Sequence, residues 1–258
     1  MKNNIDSMER WNHAQKIECQ EWIGVLNKTS SLLKRIFDGE ILSDSEYIDL
    51  EWEYNYPYKF CNAMGLPPIQ SSKLIKEHKL PKHIFSYRKE NNVDQEYDCQ
   101  GKTIMDIASG PNSLLLKCYN FKKAYALDPL AHVYPKEIKK LFLDRGVNLV
   151  SHMGENFYDK MQVELDEVWM YNCLEHVKNP TSIFEQIIKA KTKVFRFAEP
   201  WGASDGGAHI WDITPKTFTD FFGENIGIEK FNFSYYLKDG SFKTSRPLFG
   251  ASLNINYS

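Results

Sequence analysis

From residue 101 onward, short runs of β-branched or aromatic residues alternate with stretches of helical spacing. The pattern predicts strands at 103–107, 124–127, 147–151, 167–171 and 193–198. Between and after them it predicts helices at 112–119, 135–144, 180–190 and 215–222, the last capped by Thr214. Segments 228–236 and 248–256 read as a closing antiparallel strand pair joined by a turn at Asp239-Gly240. Alternating strand–helix units demand a parallel sheet with helices on both faces.

Residues 1–100 read differently, as helix and irregular connection. A first helix is expected over 7–37, with Trp11, Ala14, Trp22, Val25 and Leu26 near one face. Thr29-Ser30-Ser31 suggests a break, Gly39 a stop, and Ser43-Asp44 a new start. Six aromatics crowd 47–60: Tyr47, Trp52, Tyr54, Tyr56, Tyr58 and Phe60. Pro57 argues against a central strand there, so a short helix is expected, with Pro57 at its first position and Gly65 past its end. Such a cluster serves either packing between helices or an aromatic wall for a ligand. The polar stretch 86–100 looks like a linker, which divides the chain into an N-terminal helical segment, 1–100, and an α/β core, 101–258.

Composition narrows the class. The 258 residues carry 32 Lys plus Arg against 34 Asp plus Glu, a formal charge of −2, which excludes a surface built wholly for nucleic acid or anionic lipid. Five cysteines lie scattered without a CxxC pair, so no metal site is expected and a reducing, cytoplasmic setting is. No run of about 18 apolar residues occurs, so neither a membrane span nor a membrane partner is expected.

The chemistry concentrates at Ile104-Met105-Asp106-Ile107-Ala108-Ser109-Gly110-Pro111-Asn112, a strand, a turn of small residues and a helix start. Ligands of such sheets bind beyond the carboxyl ends of the strands. Asp128 follows Asp106 by 22 residues and ends the next strand, where an acid accepts ribose hydroxyls. A dinucleotide needs small residues at three places of the turn, and only Gly110 matches well. Asp106 would oppose a pyrophosphate but favours a ligand with an ammonium group. S-adenosylmethionine (SAM), with an ammonium, a sulfonium and a ribose, suits these residues better than NAD.

These residues resemble the glycine-rich motif of class I SAM-dependent methyltransferases. Asp128-Pro129 resembles that family's acidic ribose site, and Gly154-Glu155 its segment against adenine. The stretch 166–171 followed by Asn172-Cys173-Leu174-Glu175-His176-Val177 and Asn179-Pro180 is similar to its fourth strand and loop. The resemblance implies a Rossmann-like three-layer sandwich with a mostly parallel seven-stranded sheet, its last strand antiparallel, plus the N-terminal helical segment. It also implies SAM as cofactor, held by Asp106, Ala108, Ser109, Gly110, Asp128, Pro129, Glu155 and Asn172. Ala108 and Asn112 stand where the family carries its first and third glycines; Asn112 can instead cap the helix.

His176, and His209 in the glycine-rich loop 199–209, are the candidate catalytic bases. The expected acceptor is a small molecule or a glycan-like compound; nucleic acid is not expected. Two other readings stay open at this point: a methyltransferase-fold binding module without activity, and a NAD-dependent oxidoreductase. The first 100 residues are expected to shape the acceptor pocket, with Trp52, Tyr56 or Phe60 near the cleft.

Overall fold

The structure is a computed structural model that describes residues 3–43, 45–47, 49–50, 60–61, 63–66, 97–200, 210–224, 226–231, 234–236, 242–244 and 248–257. Its spine is a seven-stranded sheet built from β2 (Thr103–Ile107), β4 (Lys123–Leu127), β5 (Val147–Val150), β6 (Glu167–Tyr171), β7 (Val194–Pro200), β8 (Glu229–Phe231) and β11 (Leu248–Asn254). The order is β5-β4-β2-β6-β7-β11-β8. β2, β4, β5, β6 and β7 run parallel, while β11 is antiparallel to both β7 and β8. The central strands β2 and β6 are buried along their whole length, as a sheet covered on both faces requires.

One face carries α3 (Phe157–Met161), α4 (Pro180–Lys189) and α5 (Pro215–Phe222). Phe184, Phe195, Phe197 and Phe218 pack there, with Phe197 and Phe218 stacked at 3.7 Å and 7°. Both longer helices start with proline, α5 after its expected cap residue Thr214 and α4 after Asn179. Asn179 accepts from Ser182 N, and Thr217 Oγ1 accepts from Thr214 N.

The other face is built unexpectedly. The helix expected at 112–119 is a single 3₁₀ turn, Leu114–Lys117, and all four of its residues are buried. A turn with no solvent face cannot extend as an amphipathic helix. Its chain passes directly into β3 (Cys118–Tyr119), which pairs with β1 (Tyr97–Asp98). The cap is Ser113, whose Oγ accepts from Leu115 N at 3.2 Å, rather than Asn112.

The N-terminal helix α1 (Asn3–Phe37) supplies the missing layer. Its Leu26, Leu32, Leu33 and Ile36 share one core with Leu114, Leu116, Ala124 and Ala126, and with Ile138 and Leu141 of α2 (Lys136–Asp144). The helix is continuous through Thr29-Ser30-Ser31. Thr29 is buried and Ser30 Oγ donates to Glu137 Oε2 at 2.7 Å, so these hydroxyls are used in packing rather than capping. Gly39 ends the helix at φ +84°, with Glu40 N donating to Arg35 O. Ser43 and Glu46 then cap the next turn reciprocally.

Two further differences concern strands and aromatics. Segment 228–236 divides into β8 and β9 (Ser234–Tyr236), and β9 pairs with β10 (Phe242–Thr244) in a separate ribbon. The turn at Asp239-Gly240, Pro57, Trp52 and Tyr56 lie outside the described residues. Phe60 is buried and stacks on Tyr171 at 5.5 Å, and Gly65 follows at φ +65°. Among the described residues no helix is long and apolar enough to cross a membrane, and no group of three or more His, Cys, Asp or Glu is arranged to hold a metal.

Candidate functional site

The parallel strands end together, with Ile107 level with Leu127 and Met170. The chain leaves β2 toward β4 on one side, and β6 lies on the other, so the switch point of the sheet sits between β2 and β6. A cleft of about 440 Å³ opens there. Its floor comes from the loops after β2, β4, β5 and β6, and its roof from α1.

The turn after β2 is tight. Ala108 and Gly110 adopt positive φ, +53° and +62°, and both line the cleft with Ser109. An alanine in the left-handed region carries a strain of roughly 1–2 kcal/mol that a glycine would not. Ser109 N donates to Leu127 O at 3.2 Å, which ties the turn to the end of β4.

Asp106 stands behind this wall rather than in it. It is fully buried, and its Oδ2 accepts from Ser113 Oγ at 2.6 Å and Tyr171 Oη at 2.7 Å. Its Oδ1 has no hydrogen-bond partner. Burial pushes its carboxyl up to about 7, against the pull of the two hydroxyls. An unpartnered buried carboxylate oxygen is costly unless a donor or a cation reaches it.

Asp128 does line the cleft, at the end of β4. Its Oδ2 accepts from Gly110 N at 3.1 Å and its Oδ1 from Leu130 N at 2.8 Å, so it clasps the β2 turn to its own strand end. Burial raises its carboxyl to about 6, moderated by those backbone bonds and by the Tyr134 hydroxyl. Pro129, Gly154, Glu155 and Asn172 join the same cleft. Asn172 holds φ +51° just past β6. Glu155 Oε1 accepts from Lys178 N at 2.7 Å and Asn179 N at 3.3 Å, so its carboxylate also secures the start of α4.

His176 lies where α1 meets the β6 loop. Its carbonyl accepts from Trp11 Nε1 at 3.2 Å and Gln15 Nε2 at 3.0 Å. Its ring lies between Glu18, 3.3 Å from Nδ1, and Glu175, 3.8 Å from Nε2. Burial alone would lower the imidazole, but the Glu18 bond and the charges of Glu18, Glu175 and Glu199 raise it. Glu199 is itself fully buried, accepts from Cys173 N and Leu174 N, and is pushed up to about 8 by burial. His209 lies outside the described residues.

Of the three aromatics expected near the cleft, Trp52, Tyr56 or Phe60, Phe60 lines it and the other two lie outside the described residues; the sequence pattern assigned no site role to Gln15, Glu18, Tyr134 or Tyr171, which line it too. It named Trp11 and Trp22 only as an apolar face. The available signal was polar: Gln15 and Glu18 interrupt the Trp11–Trp22 stripe at spacings of four, three and four residues. Polar groups on an otherwise apolar helix face mark a face that meets more than hydrocarbon.

A parallel five-strand run, closed by an antiparallel last strand inserted before β8, matches the sheet that the motif resemblance implied. The fold is a Rossmann-like α/β sandwich on a mostly parallel seven-stranded sheet. No family model and no curated protein matches the chain. Solved structures similar to it include the YcgJ protein of Bacillus subtilis, at 8% identity and TM-score 0.47, over 59% of this chain and 91% of that one. A cyclopropane-fatty-acyl-phospholipid synthase-like protein from Lactobacillus casei follows at 11% identity and TM-score 0.46, over 60% and 85%. A SAM-dependent methyltransferase from Aquifex aeolicus is similar at 13% identity and TM-score 0.38, over 70% and 97%.

Proposed function

We propose that the chain is a SAM-dependent methyltransferase acting on a small-molecule acceptor, with α1 and Phe60 forming the acceptor side of the cleft. The carrying observation is Asp128: a buried carboxylate at the end of the second parallel strand, clasping Gly110 N and lining the cleft. In this reading Asp128 accepts from the ribose hydroxyls and the Ala108-Ser109-Gly110 turn receives the methionine portion. Asn172 orients the same end, and Gly154 flanks the adenine.

The buried electrostatics suit a cation. Asp106 keeps an unpartnered oxygen behind the turn, and Asp128 and Glu155 face the cleft. Among the described residues lining it there is no lysine or arginine. A pyrophosphate would meet the Asp128 and Glu155 carboxylates with no lysine or arginine among the described lining residues, which disfavours a dinucleotide. When bound, SAM supplies an activated methyl group; the chain's task is to align an acceptor with it and exclude water, and alignment alone is worth roughly 7–11 kcal/mol.

Calorimetry on the full chain tests this reading directly. Saturable binding of SAM and of S-adenosylhomocysteine is expected. A folded protein that binds neither refutes it.

A further inference from the structure

The two halves of α1 are held by different means. From Leu26 onward its inner face is apolar and buried: Leu26, Leu32, Leu33 and Ile36 sit in the core shared with the sheet and α2. Before Leu26, Ala14 is the one buried residue among the described side chains, and the helix stands over the cleft on polar contacts. Three of these meet a single residue of the β6 loop on successive turns. Trp11 Nε1 and Gln15 Nε2 donate to the His176 carbonyl at 3.2 and 3.0 Å, and Glu18 Oε2 lies 3.3 Å from His176 Nδ1. Between the halves lies Gly24, exposed, where a methyl group would meet nothing within 4 Å. Packing therefore does not require a glycine there, and a glycine inside a helix loosens it relative to alanine.

The His176 ring is committed to this roof. Glu18 faces it from α1, Glu175 from its own loop and Glu199 from β7. These acids hold the proton on the imidazole against the effect of burial, which makes the ring a poor acceptor of a further one. We infer that the N-terminal half of α1 is a lid over the cleft, hinged at Gly24 and latched on His176, and that His176 is a positioning residue rather than a general base. The lid follows from α1 alone; that the molecule it admits is the cofactor rests on the proposed methyltransferase reading. Weakening a latch that touches no ligand speeds entry and exit together, whereas removing a ligand contact speeds exit and lowers affinity.

The test is stopped-flow exchange of S-adenosylhomocysteine on the full chain, read by the fluorescence of Trp11 and Trp22 in the cleft. Glu18→Gln and Gln15→Leu are each expected to speed association and dissociation about three- to tenfold, with affinity kept within about threefold. Gly24→Ala stiffens the hinge and is expected to slow both rates about two- to fivefold. In the natural protein both rates should climb from pH 7 to 9, as His176 loses its proton while Asp128 stays ionised. Glu18→Gln should flatten that climb; Glu199, near 8, titrates in both proteins, so the difference reads the Glu18–His176 pair. Unchanged rates in the three variants overturn the inference. So does faster dissociation with lost affinity in Glu18→Gln and Gln15→Leu, which makes them ligand contacts. If S-adenosylhomocysteine does not bind, hydrogen exchange of the α1 amides in the free protein decides. Faster exchange before Gly24 in Glu18→Gln and slower in Gly24→Ala uphold the lid while refuting the cofactor reading; no difference refutes both.

Discussion

The Tyr171 hydroxyl donates to Asp106 Oδ2 at 2.7 Å while it accepts the Leu114 amide at 3.0 Å. One phenol therefore joins the end of β6, the end of β2 and the short turn between β2 and β3. Tyr171→Phe removes a partner from a buried carboxylate and a partner from a buried amide together. A loss of about 2–4 kcal/mol is expected, read as a lowered denaturant midpoint at unchanged slope. A loss below about 0.5 kcal/mol would show that neither bond matters to the fold.

Ala108 holds φ +53° at the place where the resembling motif has a glycine. Ala108→Gly relieves left-handed strain of roughly 1–2 kcal/mol and concedes roughly 0.5–1 kcal/mol of backbone entropy. A net gain of about 0.5–1 kcal/mol in unfolding free energy follows. Ala108→Val should destabilise, because a β-branched residue tolerates positive φ still less. Chemical denaturation of both variants checks the pair.

Most of the sheet was readable because its signal is local. Strands 103–107 and 167–171 and helix 215–222 fall where periodicity and capping put them. The failures share a cause. Residues 112–119 read as the beginning of a helix, but burial on every side and the early pairing of Cys118 with Tyr97 leave one turn, Leu114–Lys117. Thr29 and Ser30 looked like a cap, but Thr29 is buried and Ser30 bonds Glu137 on α2, more than a hundred residues away. Long-range partners are invisible to a window of a dozen residues. The same holds for the site. Asp128 was legible from its strand-end position, whereas Glu18 and Glu199 take their significance from His176 and Cys173 on distant loops. The change of pattern near residue 100 was legible too, yet α1 and the sheet build one core across it.

Buried acids set the pH profile of stability. Glu199 is pushed up to about 8 and Asp106 up to about 7, both mainly by burial. Their unfolded values are about 4.3 and 3.9. Below pH 4 both states are protonated and neither group matters. Between about pH 4 and 8 the folded state holds more protons than the unfolded one, so stability falls as pH rises. The raised His176 acts in the same sense, since its contribution is full below about pH 6.5 and fades above. Glu199→Gln keeps an acceptor for Cys173 N and Leu174 N without the charge. It should flatten the upper part of the window and gain on the order of a few kcal/mol at pH 8. Thermal melts from pH 5 to 8 read this; a stability that rises across that range refutes the argument.

Cofactor affinity should follow Asp128. Its carboxyl stands near 6 in the free protein, and a ligand with donors and positive charge prefers the ionised form. Binding of SAM below pH 6 must therefore release a proton, and affinity should climb as pH rises through 6 and then level off. Asp128→Ala removes the acceptor and should cost about 1.5–3 kcal/mol of binding, a ten- to hundredfold weakening. It should also remove the part of the rise centred near pH 6. Trp11→Phe, on the opposite wall, should leave SAM affinity within about threefold while loosening α1 from the His176 carbonyl. Calorimetry at pH 5, 6, 7 and 8 separates the two walls. Equal losses in Asp128→Ala and Trp11→Phe would mean that the cofactor spans the cleft from floor to roof, leaving α1 no acceptor to hold.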